Sequence, residues 1–250
     1  MPGSRRDRLL DELVARVERA EHVVVYGPSG VGKTTLLSEL RARFDARGLA
    51  CAMATATDSL TDVMQALDSL NPGAHRPGLT PRRLRGLLRD AAEGGAAGLL
   101  LDQVTRVGTA TKSFLTSLRG TRLGIVFAID VDAPRDRERM RTWCLSHTEL
   151  SVPPTSRVTL RRMLMQGASP ERIARPSAGA ITRLVQAAAG RPGYVSSCLE
   201  LMQEPRYWAG DRLRMAILEN DAEIATRNRG AWSRSPLRQL ANGHETPTEE

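Results

Sequence analysis

Two rhythms of apolar residues alternate along the first half of the chain. Residues 4–20 (SRRDRLLDELVARVERA) set Leu9, Leu10, Leu13, Val14 and Val17 at helical spacing behind Ser4, a residue type that caps helix N-termini. An amphipathic helix is expected there. His22 to Tyr26 (HVVVY) is instead an unbroken apolar run stopped by Gly27, the pattern of a strand buried on both faces. Similar short runs recur at Leu49 to Ala54, Gly98 to Asp102 (GLLLD), Leu123 to Asp130 (LGIVFAID) and Glu149 to Val152. Helical patterns lie between them: Thr34 to Arg47 closed by Gly48, Ser59 to Leu70, Thr80 to about Glu93 with Pro81 at the first helical position, and Thr109 to Leu118. A charged helix is expected near Asp136 to Trp143, and Asn71 to Leu79 (NPGAHRPGL) reads as an exposed loop. Strands alternating with helices at this spacing predict an α/β fold with a parallel sheet covered on both faces.

Pro153 and Pro154 interrupt the alternation. Beyond them only helical patterns remain: Val158 to Gln166, Pro170 to Ala174, Ala178 to Ala189, Tyr194 to Met202, and Tyr207 to about Arg227. The expected organisation is therefore an α/β domain over 1–154, with the first helix included, and a helical lid over 155–227. From Asn228 the periodicity vanishes, so 228–250 reads as a flexible tail, either passive or a binding segment for a partner protein.

Composition narrows the setting more than the chemistry. With 41% hydrophobic and 26% charged residues the chain is an ordinary globular one. No apolar run approaches the roughly 18 residues of a membrane span, and the first twenty residues are too charged for a leader, so a cytoplasmic protein is expected. Cys51, Cys144 and Cys198 lack the paired spacing of a zinc site and read as free thiols. The net charge of +8 suits a phosphate-rich partner such as DNA or RNA. Only Lys33 and Lys112 among the 36 basic residues are lysine, so the arginine abundance reflects codon usage in part, but the excess of positive charge does not. No aromatic residue interleaves with a basic cluster, which argues against a platform for stacking single-stranded bases.

The most specific pattern is Gly27-Pro28-Ser29-Gly30-Val31-Gly32-Lys33-Thr34, followed by Thr35. It fits G-x-x-x-x-G-K-[ST] at every fixed position, directly after a strand and before a helix, which is the context of a P-loop. Glycines let backbone N–H groups turn inward, and the helix N-terminus adds partial positive charge where a β-phosphate would sit. Lys33 would meet the β- and γ-phosphates, and the Thr34 hydroxyl would ligate magnesium. A lysine here is telling in a chain that otherwise uses arginine. Asp102, closing the LLLD run, is the expected Walker B carboxylate that holds the magnesium shell. Gln103 follows where a hydrolysing ATPase usually has Glu. A neutral amide orients water but does not take its proton, so slow hydrolysis is expected. Asp130 and Asp132, at and just beyond the LGIVFAID strand, are the nearest acids by topology that could substitute.

On these residues the chain resembles the AAA+ ATPases, and within them the origin-recognition and STAND-like branch. The resemblance spans roughly residues 4 to 205 and takes in the Arg- and Leu-rich first helix, GPSGVGKTT, LLLDQ, a sensor-1-like strand ending at Asp130, and Gly190-Arg191-Pro192-Gly193 in the lid. It implies a P-loop NTPase sheet of the additional-strand type, ATP and Mg2+ as ligands, a sensor-2-like role for Arg191, and assembly into a ring or filament. An arginine finger acting across subunits would come from Arg135, Arg137, Arg139 or Arg141, with nothing to choose among them. Gln103 for Glu, and Asp130 where Asn, Ser or Thr is commoner, depart from the family and bear on turnover rather than binding. An ABC ATPase would show LSGGQ before Asp102, a GTPase would show N-K-x-D, and neither is present. The loop also looks like that of guanylate kinase, a compact enzyme with no room for the helical C-terminal third. Two functions stay open: a DNA-associated regulator like the compact ATPases of bacterial transposition, replication or recombination, and a nucleotide switch read by a partner protein.

Overall fold

The computed structural model describes residues 4–55, 60–68, 80, 83, 97–104, 109–118, 121–131, 148–167 and 176–232. The expected loop at 71–79, most of the helix from Thr80, and the helices near 136–143 and 170–174 lie outside the described residues, as do Asp132, Cys144, the four candidate finger arginines and residues 233–250. The chain divides into two compact units, Met1–Pro153 and Pro154–Glu250.

The first unit is built on five parallel strands: β1 (His22–Gly27), β2 (Ala50–Ala54), β3 (Ala97–Leu101), β4 (Leu123–Asp130) and β5 (Thr148–Ser151), in the order β2-β3-β4-β1-β5. Helices α1 (Arg5–Glu18), α2 (Lys33–Ala46), α3 (Leu60–Asp68) and α4 (Thr109–Ser117) accompany it. Alternate residues of each strand face opposite sides, and two cores result. Leu100, Val126, Val23 and Val25 pack with α1 and α2, whereas Leu99, Leu101, Ile125 and Phe127 pack with α3 and α4. That double burial is why the strands are apolar throughout.

Ser4 caps α1 in a reciprocal box: its Oγ accepts from the Asp7 N–H at 3.1 Å, and Asp7 Oδ2 accepts from the Ser4 N–H at 2.9 Å. The helix buries Leu9, Leu10, Leu13, Val14 and Val17. Each contributes about 1.5–3 kcal/mol through burial. Gly124 in β4 permits this close packing, since a Cβ there would stand 2.7 Å from Val17 Cα and from its carbonyl oxygen.

The second unit contains α5 (Arg157–Gly167), α6 (Ala178–Ala188), α7 (Pro192–Leu201) and α8 (Met215–Trp232) around Leu160, Leu164, Leu184, Tyr194, Cys198, Tyr207 and Leu218. Two sequence expectations are corrected here. Instead of a helix from Tyr207, a 3-10 turn at Pro205–Tyr207 leads into a two-stranded antiparallel hairpin, β6 (Trp208–Ala209) and β7 (Arg212–Leu213), turned by Gly210 at φ 59°. Side-chain bonds hold it: Trp208 Nε1 donates to Met202 O at 2.8 Å, and the Tyr207 hydroxyl donates to Asp221 at 2.7 Å. Helix α8 then continues past Asn228, the expected start of the tail, to Trp232. Its buried face includes Leu218, Ala222 and Thr226, whose hydroxyl donates to Ala222 O at 2.6 Å. Once that face is docked, each further residue adds a helical bond at little cost, even in a polar stretch.

Candidate functional site

Gly27 ends β1 and pairs in register with Asp130 at the end of β4. The loop that follows turns on Gly30 and Gly32, at φ 79° and 101°, conformations that L side chains resist. Gly27 itself is close-packed, with a Cβ there only 2.9 Å from Val31 Cγ1. Gly32 is the N-cap of α2, makes no side-chain cap bond, and no acid occupies the first turn. Nothing on α2 itself therefore competes with an anion for its leading N–H groups.

Lys33 is only 7% exposed. Its Nζ donates to Gly27 O at 2.6 Å and Pro28 O at 2.9 Å, and pairs with Asp130 Oδ1. All three ammonium protons thus have an acceptor. Ser29 is buried, while Pro28, Thr34 and Thr35 are exposed at the mouth of the loop and Gly30 and Gly32 are half-buried.

Asp102 stands just past β3 and is 1% exposed. Its backbone N–H donates to Ala54 O at 2.8 Å, and its Oδ1 accepts from the Gln103 N–H at 2.9 Å. Its Oδ2 is buried without a hydrogen-bond partner. Burial pushes the carboxyl above its ordinary range; the Thr34 hydroxyl, the Gln103 amide and Lys33 counter that, and Asp130 reinforces it. Gln103 takes φ 51°, a left-handed backbone that costs a non-glycine residue about 1–2 kcal/mol. A buried carboxylate oxygen with no donor, beside a threonine hydroxyl, is the chemistry a divalent cation would satisfy. A magnesium that takes most of its ligands from phosphate and water needs no further protein cage.

Arg191 lies in the second unit as N-cap of α7. Its Nη1 and Nη2 donate to Glu223 Oε1 and Oε2 at 3.0 and 2.8 Å, its Nε donates to Ala188 O at 3.1 Å, and its guanidinium stacks 5.2 Å from the Tyr194 ring centre. The arginine holds the Glu223 carboxyl below its usual range. The adjoining Gly190, at φ 84°, packs so tightly that a Cβ would meet Pro154 Cβ at 2.4 Å. The Gly-Arg-Pro sequence therefore has a conformational role in its own unit.

A feature the sequence does not reveal is an open cleft of about 520 Å³ in the first unit. Arg5 and Arg8 of α1, Tyr26 immediately before the loop, and Glu149 and Ser151 of β5 line it. Its one signal in the sequence is the polar row Arg5, Arg8, Glu12 that borders the apolar stripe of α1 at Leu9.

A parallel sheet with β4 between β1 and β3, and a glycine loop carrying a buried lysine from β1 into a helix, define a P-loop NTPase. The chain belongs to the AAA ATPase domain family, whose pattern matches residues 4–195; nucleotide binding, typically with Mg2+, comes with that membership. The fold is shared with Aeropyrum pernix ORC1 in complex with DNA (17% identity, 96% of this chain and 73% of that one, TM-score 0.52). Similarity extends to domain III of Thermotoga maritima DnaA (16%, 87% and 91%, TM-score 0.48) and to Thermotoga maritima RuvB (15%, 88% and 68%, TM-score 0.45). No curated protein matches the chain. Among the described residues no helix is long and apolar enough to cross a membrane.

Proposed function

We propose that this chain is an ATP-binding AAA+ regulator that assembles on duplex DNA in its ATP state and hydrolyses ATP slowly. The observation that carries the nucleotide part is the buried Lys33 ammonium inside its ring of oxygens, next to the orphaned Asp102 Oδ2. A triphosphate gives Lys33 anionic acceptors in place of carbonyls. Thr34 and Asp102 would hold the magnesium, which supplies charge neutralisation across the phosphates. The N–H groups of Gly30 to Thr35 cradle the β-phosphate, and the cleft beside Tyr26 receives the base.

Slow turnover rests on Gln103. Its amide can hold a water but leaves it protonated, so hydrolysis waits on a weaker base such as Asp130. Arg191, the sensor-2-like residue, is held by Glu223 within its own unit. A regulator that remains long in its triphosphate form suits assembly into a ring or filament. The net charge of +8 supports a polyphosphate partner. Aeropyrum pernix ORC1 was solved on DNA, but a shared fold does not carry a partner over, so charge must.

The test is a gel-shift series on random-sequence duplex with ATP, with ADP and with Lys33→Ala, from about 50 to 200 mM salt. Retardation should require ATP and Lys33 and weaken steeply with salt. Absence of any shift with ATP at the lowest salt sinks the DNA reading, and equal shifts with ATP, ADP and Lys33→Ala sink the nucleotide control.

A further inference from the structure

Helix α5 opens the second unit with the sequence RVTLRRMLMQG, which contains no acid. Ser156 fixes its start, its Oγ accepting from the Thr159 N–H at 3.1 Å. One side is core: Leu160 and Leu164 are buried, and Gly167 abuts Leu199 of α7. The opposite side is unusual. At about 100° per residue, Arg157, Arg161, Met165, Val158 and Arg162 follow one another across roughly 140° of arc. Val158 and Met165, an i,i+7 pair, thus form a central apolar ridge with Arg157 and Arg161 on one flank and Arg162 on the other.

The ridge is open, with Val158 70% and Met165 59% exposed, and the described residues contain only two other large apolar side chains as exposed, both on α8. All three arginines are exposed and make no ion pair with a described residue. Elsewhere in the same unit Arg183 pairs with Glu219, and Arg191 and Arg227 share Glu223, while the exposed Arg212 and Arg214 of the hairpin region, like the α5 arginines, make no ion pair with a described residue. Helix α5 therefore concentrates uncompensated positive charge around its most exposed apolar residues.

We propose that this face of α5 docks an acidic amphipathic helix of a partner protein, with the partner's apolar stripe on Val158 and Met165 and its carboxylates on the flanking arginines. Charge complementarity sets the sign of the partner. The ridge sets its class: a phosphodiester backbone offers nothing apolar to Val158 and Met165, which would remain in water or be brought against charge, whereas an amphipathic helix covers both. Neither the P-loop nor bound DNA takes part in this contact.

The test uses the full chain and two fluorescent peptides of helical design. One carries leucines at i, i+3 and i+7 between rows of glutamate, and the other replaces those leucines with serine. The leucine peptide should bind and the serine peptide should bind at least about tenfold more weakly. Val158→Ser with Met165→Ser, and separately Arg161→Glu with Arg162→Glu, should each lower affinity for the leucine peptide by about tenfold or more, with ATP binding unchanged as the control for folding. The proposal is overturned if neither peptide binds, if the two bind equally, or if the serine pair has no effect. Displacement of the leucine peptide by an unlabelled 20-base-pair duplex (about two helical turns) would assign the face to nucleic acid and also overturn it.

Discussion

Asp130→Asn removes the carboxylate facing Lys33 while keeping the shape of the side chain. In the native chain the ammonium has three protons and three acceptors, of which only Asp130 is charged. An arriving phosphate must compete with that carboxylate for Lys33, and it must also approach a second negative charge. Both effects oppose binding, so neutralising Asp130 should tighten it. The magnitude follows from exposure. Lys33 is 7% exposed but Asp130 is 34% exposed, so water screens the pair and it is worth about 1 kcal/mol rather than the several of a fully buried pair. That corresponds to roughly fivefold tighter ATP binding. The ligand-free protein should lose a comparable amount of stability, because Lys33 remains buried with carbonyls alone. Calorimetric titration with ATP and magnesium, paired with thermal unfolding without ligand, reads both signs. Weaker or unchanged ATP affinity in the variant refutes the competition and makes Asp130 a supporting member of the phosphate or metal shell. Turnover in the same variant is a separate readout: a catalytic Asp130 lowers kcat even as binding improves.

The other expectations each rest on one contact. Lys33→Ala should abolish measurable ATP binding by calorimetry, and detectable heat at millimolar ligand would contradict the loop's role. Gln103→Glu should raise steady-state phosphate release by about tenfold or more if the missing base limits hydrolysis; an unchanged rate places the limit elsewhere. Because burial raises the Asp102 carboxyl, the folded protein holds more protons than the unfolded one between the unfolded and folded values, so stability falls as pH rises through that window. Asp102→Asn should flatten this part of the melting-temperature profile, stabilise the ligand-free protein above the window, and weaken the magnesium dependence of ATP affinity. Gly124→Ala forces α1 off the sheet and should cost about 1–3 kcal/mol in denaturant titrations.

What the sequence disclosed and what it hid divide along physical lines. The strands were legible as unbroken apolar runs because both faces of the sheet are covered, and the loop was legible because its chemistry lies in eight consecutive residues. The contact between Lys33 and Asp130 was not, since it exists only because β4 inserts between β1 and β3, a long-range choice that local pattern does not encode. The hairpin at Trp208–Leu213 escaped because strands of two residues are too short to show a period, and its one turn signal, Gly210-Asp211, sat inside a helical rhythm. The cleft escaped because polar residues bordering the apolar stripe of an amphipathic helix look alike whether they meet water or line a pocket.

The site residues that the sequence singles out share an energetic character in the structure. Asp102 is buried with one oxygen unpartnered, Gln103 holds a left-handed backbone, and the buried Lys33 ammonium has one charged acceptor, Asp130, beside two neutral carbonyls. Each carries a cost of burial or backbone strain, and all three lie beyond the carboxyl ends of β1 and β3, where open parallel sheets take their ligands. A single ligand can relieve two of them at once: phosphate oxygens give Lys33 charged acceptors, and a divalent cation gives Asp102 Oδ2 a positive neighbour. If Asp102 holds the cation, ATP with magnesium should raise the melting temperature more than the sum of what either does alone. At a hundredfold excess over Kd the stabilisation should reach about 2.7 kcal/mol. Differential scanning fluorimetry with ATP, magnesium and both measures this directly. Additive shifts would mean that nucleotide and cation bind without sharing Asp102, and the assignment of that carboxylate to the metal shell would be withdrawn.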